Sequence, residues 1–527
     1  ESDVLLAYSV TTQSTTKTMD KLAAMIKKDA AGAIAAVPIN QTVAEVLTLA
    51  GQKVLPPNSD QTNVYVGTVT VPYYGDVSLT ANSTAIASSY WKADANQADN
   101  TSSLLGKIPC GLFAAKQVLN GVALEPSAST TTCFPMPVKQ SDQTIPMIVT
   151  VPNMAKPDGG WPVVIFQHGI GRNRTDVFAV ASTYAKAGFA TVAIDLPLHG
   201  LSAKMDVKKS DNTIEQVDNK FYKNNMLAGT AAAALMTSNE RTFDVDIFPV
   251  TVDSTGKFVG ASDGVVDGSG AHFINLLNPI SSRDNLRQGA ADILVLAKNL
   301  ANLNLDNVAG GDVNTSKVYL SSISLGTIVG TVALGADKEA GLIKAASVSV
   351  GGGAIAKLLD GSQFYGPIIT NGLAAAKVAE NTDDYETFMR FAQTVTDSGD
   401  PINFAMNAKA NRPIHFTQVL NDLVVPNQSV KGAKSATQDF VGATGFLSGN
   451  TALAKAMGFS TKNEIDITNF NSQNLVDTNT WVQFNQGGHG SLLDPTSNAS
   501  VTAEMQCQSA AFFKTNGAVI PVGCSKP

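Results

Sequence analysis

A doubly wound, mostly parallel α/β sheet is the fold class this sequence predicts, and three observations predict it. Continuous apolar runs such as Pro162-Val163-Val164-Ile165-Phe166 have the composition of strands covered on both faces. Such runs alternate with helix-like stretches, the order that builds parallel strands through crossover helices. One run, Val318-Tyr319-Leu320, passes through Ser322-Ile323-Ser324-Leu325-Gly326 into a helix-like stretch at 327–336, which reads as a strand, a sharp turn and a helix with a serine at the apex.

Taken in order, residues 1–135 open with Met19, Leu22, Ala23 and Ile26 on one helical face. Thr42 and Glu45 then form a capping box for a second helix, and 63–71 is strand-like. We expect a smaller N-terminal domain here, packing against or shielding a second domain at 136–527. That second domain starts with a strand at 145–151, followed by strands at 162–167 and 189–194 with a helix at 177–187 between them. A helix at 282–300 carries Leu286, Ala290, Ile293, Ala297 and Leu300 on one face and leads to the apical serine. Strands at 345–350, 414–420 and 480–484 complete the sheet. Two excursions, about 201–279 and 351–411, are far longer than ordinary connections and are expected to cap the sheet edge. Within the second, Phe364, Tyr365 and Ile368 are candidates to line a substrate pocket. No internal repeat or low-complexity tract is evident.

Composition narrows the class. The 527 residues leave room for a large domain plus a smaller one, only 15% are charged, and the net charge is −7 without a basic block. An average domain is about 25% charged, so Ser, Thr, Asn and Gly make up the surface, as in a protein working outside the cell. A nucleic-acid partner is not expected. No apolar run reaches the roughly 18 residues of a membrane helix. The polar opening Glu1-Ser2-Asp3 lacks a signal-peptide pattern, so the chain reads as a processed form, with an upstream lipid anchor left open. The four cysteines fall into near neighbours, Cys110 with Cys133 and Cys507 with Cys524. Neighbour pairing into two disulfides is one of three connectivities and the expected one. No metal or other cofactor is predicted: the cysteine spacing is not that of a zinc site, and Asp244, Asp246, Asp253, Asp263 and Asp267 read as a solvated turn region without EF-hand spacing.

The apical serine carries the chemistry. A strand–turn–helix needs small residues two positions either side of the nucleophile, because strand and helix almost touch there. For Ser324 these are Gly326 and Ser322, the latter where glycine is usual; for Ser322 one would be Leu320, a poor fit. Of five histidines, His168, His199 and His272 precede the turn and His415 lies in an apolar strand, which leaves His489 in the glycine-rich loop Gln486-Gly487-Gly488-His489-Gly490. With the chain order Ser, acid, His, the acid is Asp422, directly after the strand at 414–420; Asp439, Asp466 and Asp477 follow no convincing buried strand. The loop His168-Gly169-Ile170-Gly171 lets backbone approach a carbonyl. Ile170 and Leu325 N–H are the expected oxyanion donors, with Gly169 N–H as the alternative first donor. His168 and His199 read as structural loop residues.

Ser324, Asp422, His489 and the His168 loop together resemble an α/β-hydrolase triad. More narrowly, Gly67-Thr68-Val69-Thr70-Val71-Pro72-Tyr73-Tyr74 with Phe166-Gln167-His168-Gly169 and Ser324-Leu325-Gly326 resembles the bacterial extracellular virulence-factor lipases, which pair a dedicated N-terminal domain with the hydrolase domain. The resemblance implies a secreted or cell-surface lipase, lysophospholipase or phospholipase A1 that cleaves acyl lipids and touches lipid interfaces transiently. A short-chain carboxylesterase and a polyester depolymerase share this machinery. A non-catalytic surface-binding homologue is the contrasting expectation.

Overall fold

A computed structural model describes residues 14–76, 84–99, 103–104, 108–110, 117–119, 122–124, 128–209, 213–254, 258–306, 308, 311–338, 341–428, 448–469, 473–475 and 480–525. Ten strands form the main sheet: β1 Ile34–Thr42, β2 Thr62–Tyr73, β3 Ser141–Pro152, β4 Trp161–Gln167, β5 Ala190–Ile194, β6 Val313–Ile323, β7 Ala345–Ser349, β8 Ile414–Val419, β9 Thr461–Ile465 and β10 Thr480–Phe484. Their spatial order is β1-β2-β3-β5-β4-β6-β7-β8-β10-β9. Every pair from β5 to β9 is parallel, while β1, β2 and β3 pair antiparallel with one another and β3 with β5. With helices on both faces and a serine elbow after the central strand, this is the α/β-hydrolase fold.

Alternation along the strands divides the core. Val163 and Ile165 of β4, with Val318 and Leu320 of β6, face helices α1 (Lys17–Lys28), α3 (Pro279–Asn299) and α4 (Leu325–Ala336). Val164, Phe166 and Tyr319 face the other way, toward α2 (Ala181–Lys186) and α9 (Ala499–Lys514). Both faces are dry along β4 and along residues 318–323 of β6, hence the apolar runs at 163–166 and 318–320.

The sheet continues across the boundary expected near residue 135. β2 pairs with β3 along its whole length, from Thr62 opposite Pro152 to Tyr73 opposite Ser141, so residues 34–73 extend the same sheet that carries Ser324. Val69 and Val71 of β2 share a core with α3, and the α1 face of Met19, Leu22, Ala23 and Ile26 closes over it. The Thr42 capping box is present, with Glu45 and Thr42 each accepting from the other's backbone N–H.

The 351–411 excursion folds into α5 (Ile355–Gly361), α6 (Gly366–Ala375), α7 (Asp383–Thr396) and α8 (Ala405–Ala410), with a small core of its own at Ala356, Ile369, Tyr385 and Met389. The 201–279 excursion is held to the sheet edge by a buried ion cluster. Arg174 bonds Asp195, just after β5, and Glu240 within the excursion, while Glu240 also accepts from Lys223 and Leu201 N–H. Burial works against the Arg174 charge, but the two carboxylates outweigh it and raise its pKa. Of the acidic residues expected to be solvated, Asp246 accepts from Ser262, Asp263 and Gly264, and Asp267 from Ile247 N–H, so both shape turns. Two disulfides, Cys110–Cys133 and Cys507–Cys524, join near neighbours; the second ties the C-terminal segment to α9. Among the described residues no helix is long and apolar enough to cross a membrane.

Candidate active site

Because β6, β8 and β10 run parallel, the loops after them open on one edge of the sheet, and that edge gathers Ser324, Asp422 and His489. Ser324 Oγ lies 2.8 Å from His489 Nε2, and His489 Nδ1 lies 2.7 Å from Asp422 Oδ2. The Asp422 side chain is fully buried, that of His489 is 19% exposed, and Ser324 is 6% exposed. Asp439 and Asp477 lie outside the described residues. Asp466 caps its own turn by accepting from Thr468.

Local sequence explains how each group is held. Ser324 takes φ 57° and ψ −124°, a conformation in which a non-glycine residue is strained, and its N–H is anchored on Ser349 O at 2.9 Å. Gly326 admits no side chain, since a Cβ there would stand 2.3 Å from Gln167 O and 2.6 Å from His168 O. Ser322 fits in place of the usual glycine because helix α4 makes room. Its hydroxyl meets Thr327 Oγ1 at 3.0 Å, and Gly330 leaves the space beside it open. Thr327 in turn donates to Ser349 O, which locks β6, β7 and α4 together below the elbow.

The Asp422 loop is also braced. Asp422 Oδ1 accepts from Val424 and Val425 N–H at 2.9 and 3.0 Å, which leaves Oδ2 for the histidine. Asn427 reaches back to Val419 O and to Asn421 N–H, a support that no spacing in the sequence indicated. On the histidine loop, Gly487 has φ 100° with Ser491 Oγ where a Cβ would go, so glycine is required there.

His168 arranges the loop facing Ser324. Its Nε2 accepts from Leu196 N–H at 3.1 Å, so Nδ1 carries the proton and donates to Gly169 O at 2.8 Å. That carbonyl belongs to the trans peptide joining Gly169 to Ile170, whose N–H must then point away from His168. A Cβ on Gly169 would lie 3.1 Å from Ser324 Cβ, so the loop abuts the serine. Leu325 N–H opens helix α4 and has no acceptor within the helix. Leu325 thus follows Ser324 directly, and Gly169, the residue before Ile170, packs on it.

The substrate-pocket candidates divide. Tyr365 lines both voids beside Ser324, Phe364 lines only the larger, and Ile368, 52% exposed, lines neither. The reason is geometric, since Ile368 sits on α6 and that face of the helix turns to solvent.

Three histidines are held neutral by burial. It lowers His168, takes His199 well below the ordinary value, and brings His415 to about 4. An unfolded chain takes up protons at these rings below about pH 6.5, whereas the folded chain resists. Their contribution to stability is therefore complete above that pH and lost as pH falls toward the folded value, with His415 alone accounting for on the order of 3 kcal/mol. Denaturant midpoints at about pH 7.5 and about pH 4.5 should differ accordingly. His415→Gln should shrink that difference; an unchanged difference would assign the acid sensitivity to other groups.

No protein-family model matches the sequence, and no curated protein matches it. Solved structures that align with this chain include an acetyl xylan esterase from Paenibacillus sp. R4, at 12% identity over 79% of this chain and 82% of that one with a TM-score of 0.35. A Pyrobaculum calidifontis esterase aligns at 13% identity over 71% of this chain and 82% of its own, with a TM-score of 0.32. A Pyrococcus horikoshii acylaminoacyl peptidase aligns at 12% identity over 71% of this chain and 40% of its own, with a TM-score of 0.33. These are distant alignments, and the fold assignment rests on the strand order and the elbow.

Proposed function

We propose that this chain is a serine hydrolase of carboxylic esters that have an extended apolar part. The observation that carries the reading is the unbroken hydrogen-bonded chain from Asp422 through His489 to Ser324 at the apex of the elbow. In this reading Ser324 Oγ attacks the ester carbonyl while its proton passes to His489 Nε2, and Asp422 holds the imidazole with Nδ1 protonated. Ile170 and Leu325 N–H receive the oxyanion. His489 then protonates the departing alcohol, and water resolves the acyl-enzyme by the reverse route.

An amphiphilic substrate suits what surrounds Ser324. A groove of about 2820 Å³ runs from Ser324 and His489 past Leu47, Phe178, Met205 and Leu493, with the exposed Leu49 and Val54 at its side. Lipase, lysophospholipase, phospholipase A1 and short-chain carboxylesterase activities all use this machinery, and they differ in which arm of the ester occupies the groove. The two disulfides suit an oxidising compartment, and the reading places the enzyme at the cell surface or beyond it.

A fluorophosphonate should label Ser324 alone, and acid release should be measured side by side from triglyceride, lysophospholipid and short p-nitrophenyl esters. Folded protein that takes no label and releases no acid would be a non-catalytic homologue.

A further inference from the structure

Ser324 stands between two voids of very different size. One is the open groove, and His489 is part of its wall. The other is a small void of about 30 Å³ under the cap, where Leu325, Ile328, Leu286 and Leu358 meet, and it shares Ile170, Ser324, Tyr365 and Val424 with the groove. His489 takes no part in this second wall, and apart from Ser324 and Tyr365 the lining is entirely aliphatic.

The reaction assigns the two arms of the ester to these voids. When Ser324 Oγ bonds the acyl carbon, its proton moves to His489 Nε2. When the C–O bond to the alcohol breaks, that proton goes to the departing oxygen, which must lie within hydrogen-bond reach of Nε2. The alcohol arm is therefore on the His489 side, in the groove. The carbonyl oxygen points to Ile170 and Leu325 N–H. The fourth direction about the tetrahedral carbon is left for the acyl chain, and the void whose wall includes Leu325 and not His489 is the small one. A water needs about 10–15 Å³ by this measure, so the void takes about two to three groups of that size beyond the carbonyl.

Resting on the ester-hydrolase reading, we propose that the substrate class is short-acyl esters, acetyl to butyryl, of long or bulky apolar alcohols, and that Leu358 and Leu359 of α5 set the acyl limit. Long fatty-acyl esters of small alcohols then fit poorly, because their long arm faces the small void.

Two isomers with exchanged arms test this directly: decyl acetate and ethyl decanoate have the same formula and nearly the same hydrophobicity. Decyl acetate is expected to have the higher kcat/KM, by about tenfold or more, the scale on which a tight apolar pocket rejects extra methylenes. Leu358→Ala should narrow that ratio. Leu359→Ala, at a partly buried position, is the second variant should Leu358→Ala fail to fold. Equal or reversed rates in the wild-type protein overturn the assignment of the arms, as does hydrolysis of neither ester by protein whose Ser324 takes the fluorophosphonate. Absence of labelling at Ser324 overturns the hydrolase reading itself. If both leucine variants fold and leave the ratio unchanged, the acyl limit does not lie at α5.

Discussion

Ser324→Ala is expected to lower ester turnover by about 10⁴ to 10⁶-fold, the range found when a triad nucleophile is removed, while leaving the fold and substrate binding in place. The reason is local. Alanine removes the oxygen that attacks in the proposed reaction and nothing that supports the elbow, since residue 324 N–H still bonds Ser349 O, Gly326 still packs on Gln167 O, and Thr327 still ties α4 to β7. Ser322→Ala removes a different hydroxyl. That group bonds Thr327, whereas the imidazole bonds Ser324 and Asp422, so its loss should cost about one hydrogen bond of stability, roughly 1 kcal/mol, with a far smaller effect on rate. Initial rates and thermal melts on both variants settle the register. If Ser322→Ala abolished activity and Ser324→Ala did not, the nucleophile would be the wrong serine.

The parts of this arrangement that could be read in the sequence are those that physics makes local. β4 and residues 318–323 of β6 are buried on both faces, so 163–166 and 318–320 appear as apolar runs whatever their partners are. The elbow shows itself because Gly326 abuts backbone and tolerates no side chain. His489 emerged by elimination, since a neutral core histidine such as His415, bonded to Ser347 and Gln508, occupies an apolar strand.

Tertiary pairing was not legible. β1 contains Pro38 and alternates poorly in burial, and β2 finds its partner β3 about seventy residues further on, so nothing local shows that 34–73 joins the sheet of Ser324. The Arg174 to Glu240 pair spans 66 residues and carries no motif. Tyr365 and Ile368 have the same apolar character in sequence. Only the docking of the cap decides that one meets the site and the other meets water.

Asp422→Asn is expected to lower kcat on the order of 10⁴-fold, comparable to other triads in which the acid becomes an amide, with little change in stability. Both carboxylate oxygens of Asp422 accept: Oδ1 from Val424 and Val425 N–H, Oδ2 from His489 Nδ1–H. An asparagine has one oxygen and one NH₂ to fill these two roles. With its oxygen toward the two backbone N–H groups, its NH₂ faces Nδ1 and requires that nitrogen to be the acceptor. The imidazole proton then sits on Nε2, the atom that takes the proton of Ser324 in the proposed reaction, and the proposed base is blocked. The flipped amide would place NH₂ against two backbone donors in a buried loop and leave both unpaired, at a cost of about 1–3 kcal/mol each, so the blocking orientation prevails. Fluorophosphonate labelling should slow in parallel with turnover, because it also requires Ser324 to lose its proton. Asp422→Asn that melts like the wild type yet keeps activity within about tenfold would mean that Asp422 does not set the tautomer, and the acid of this site would have to be sought elsewhere.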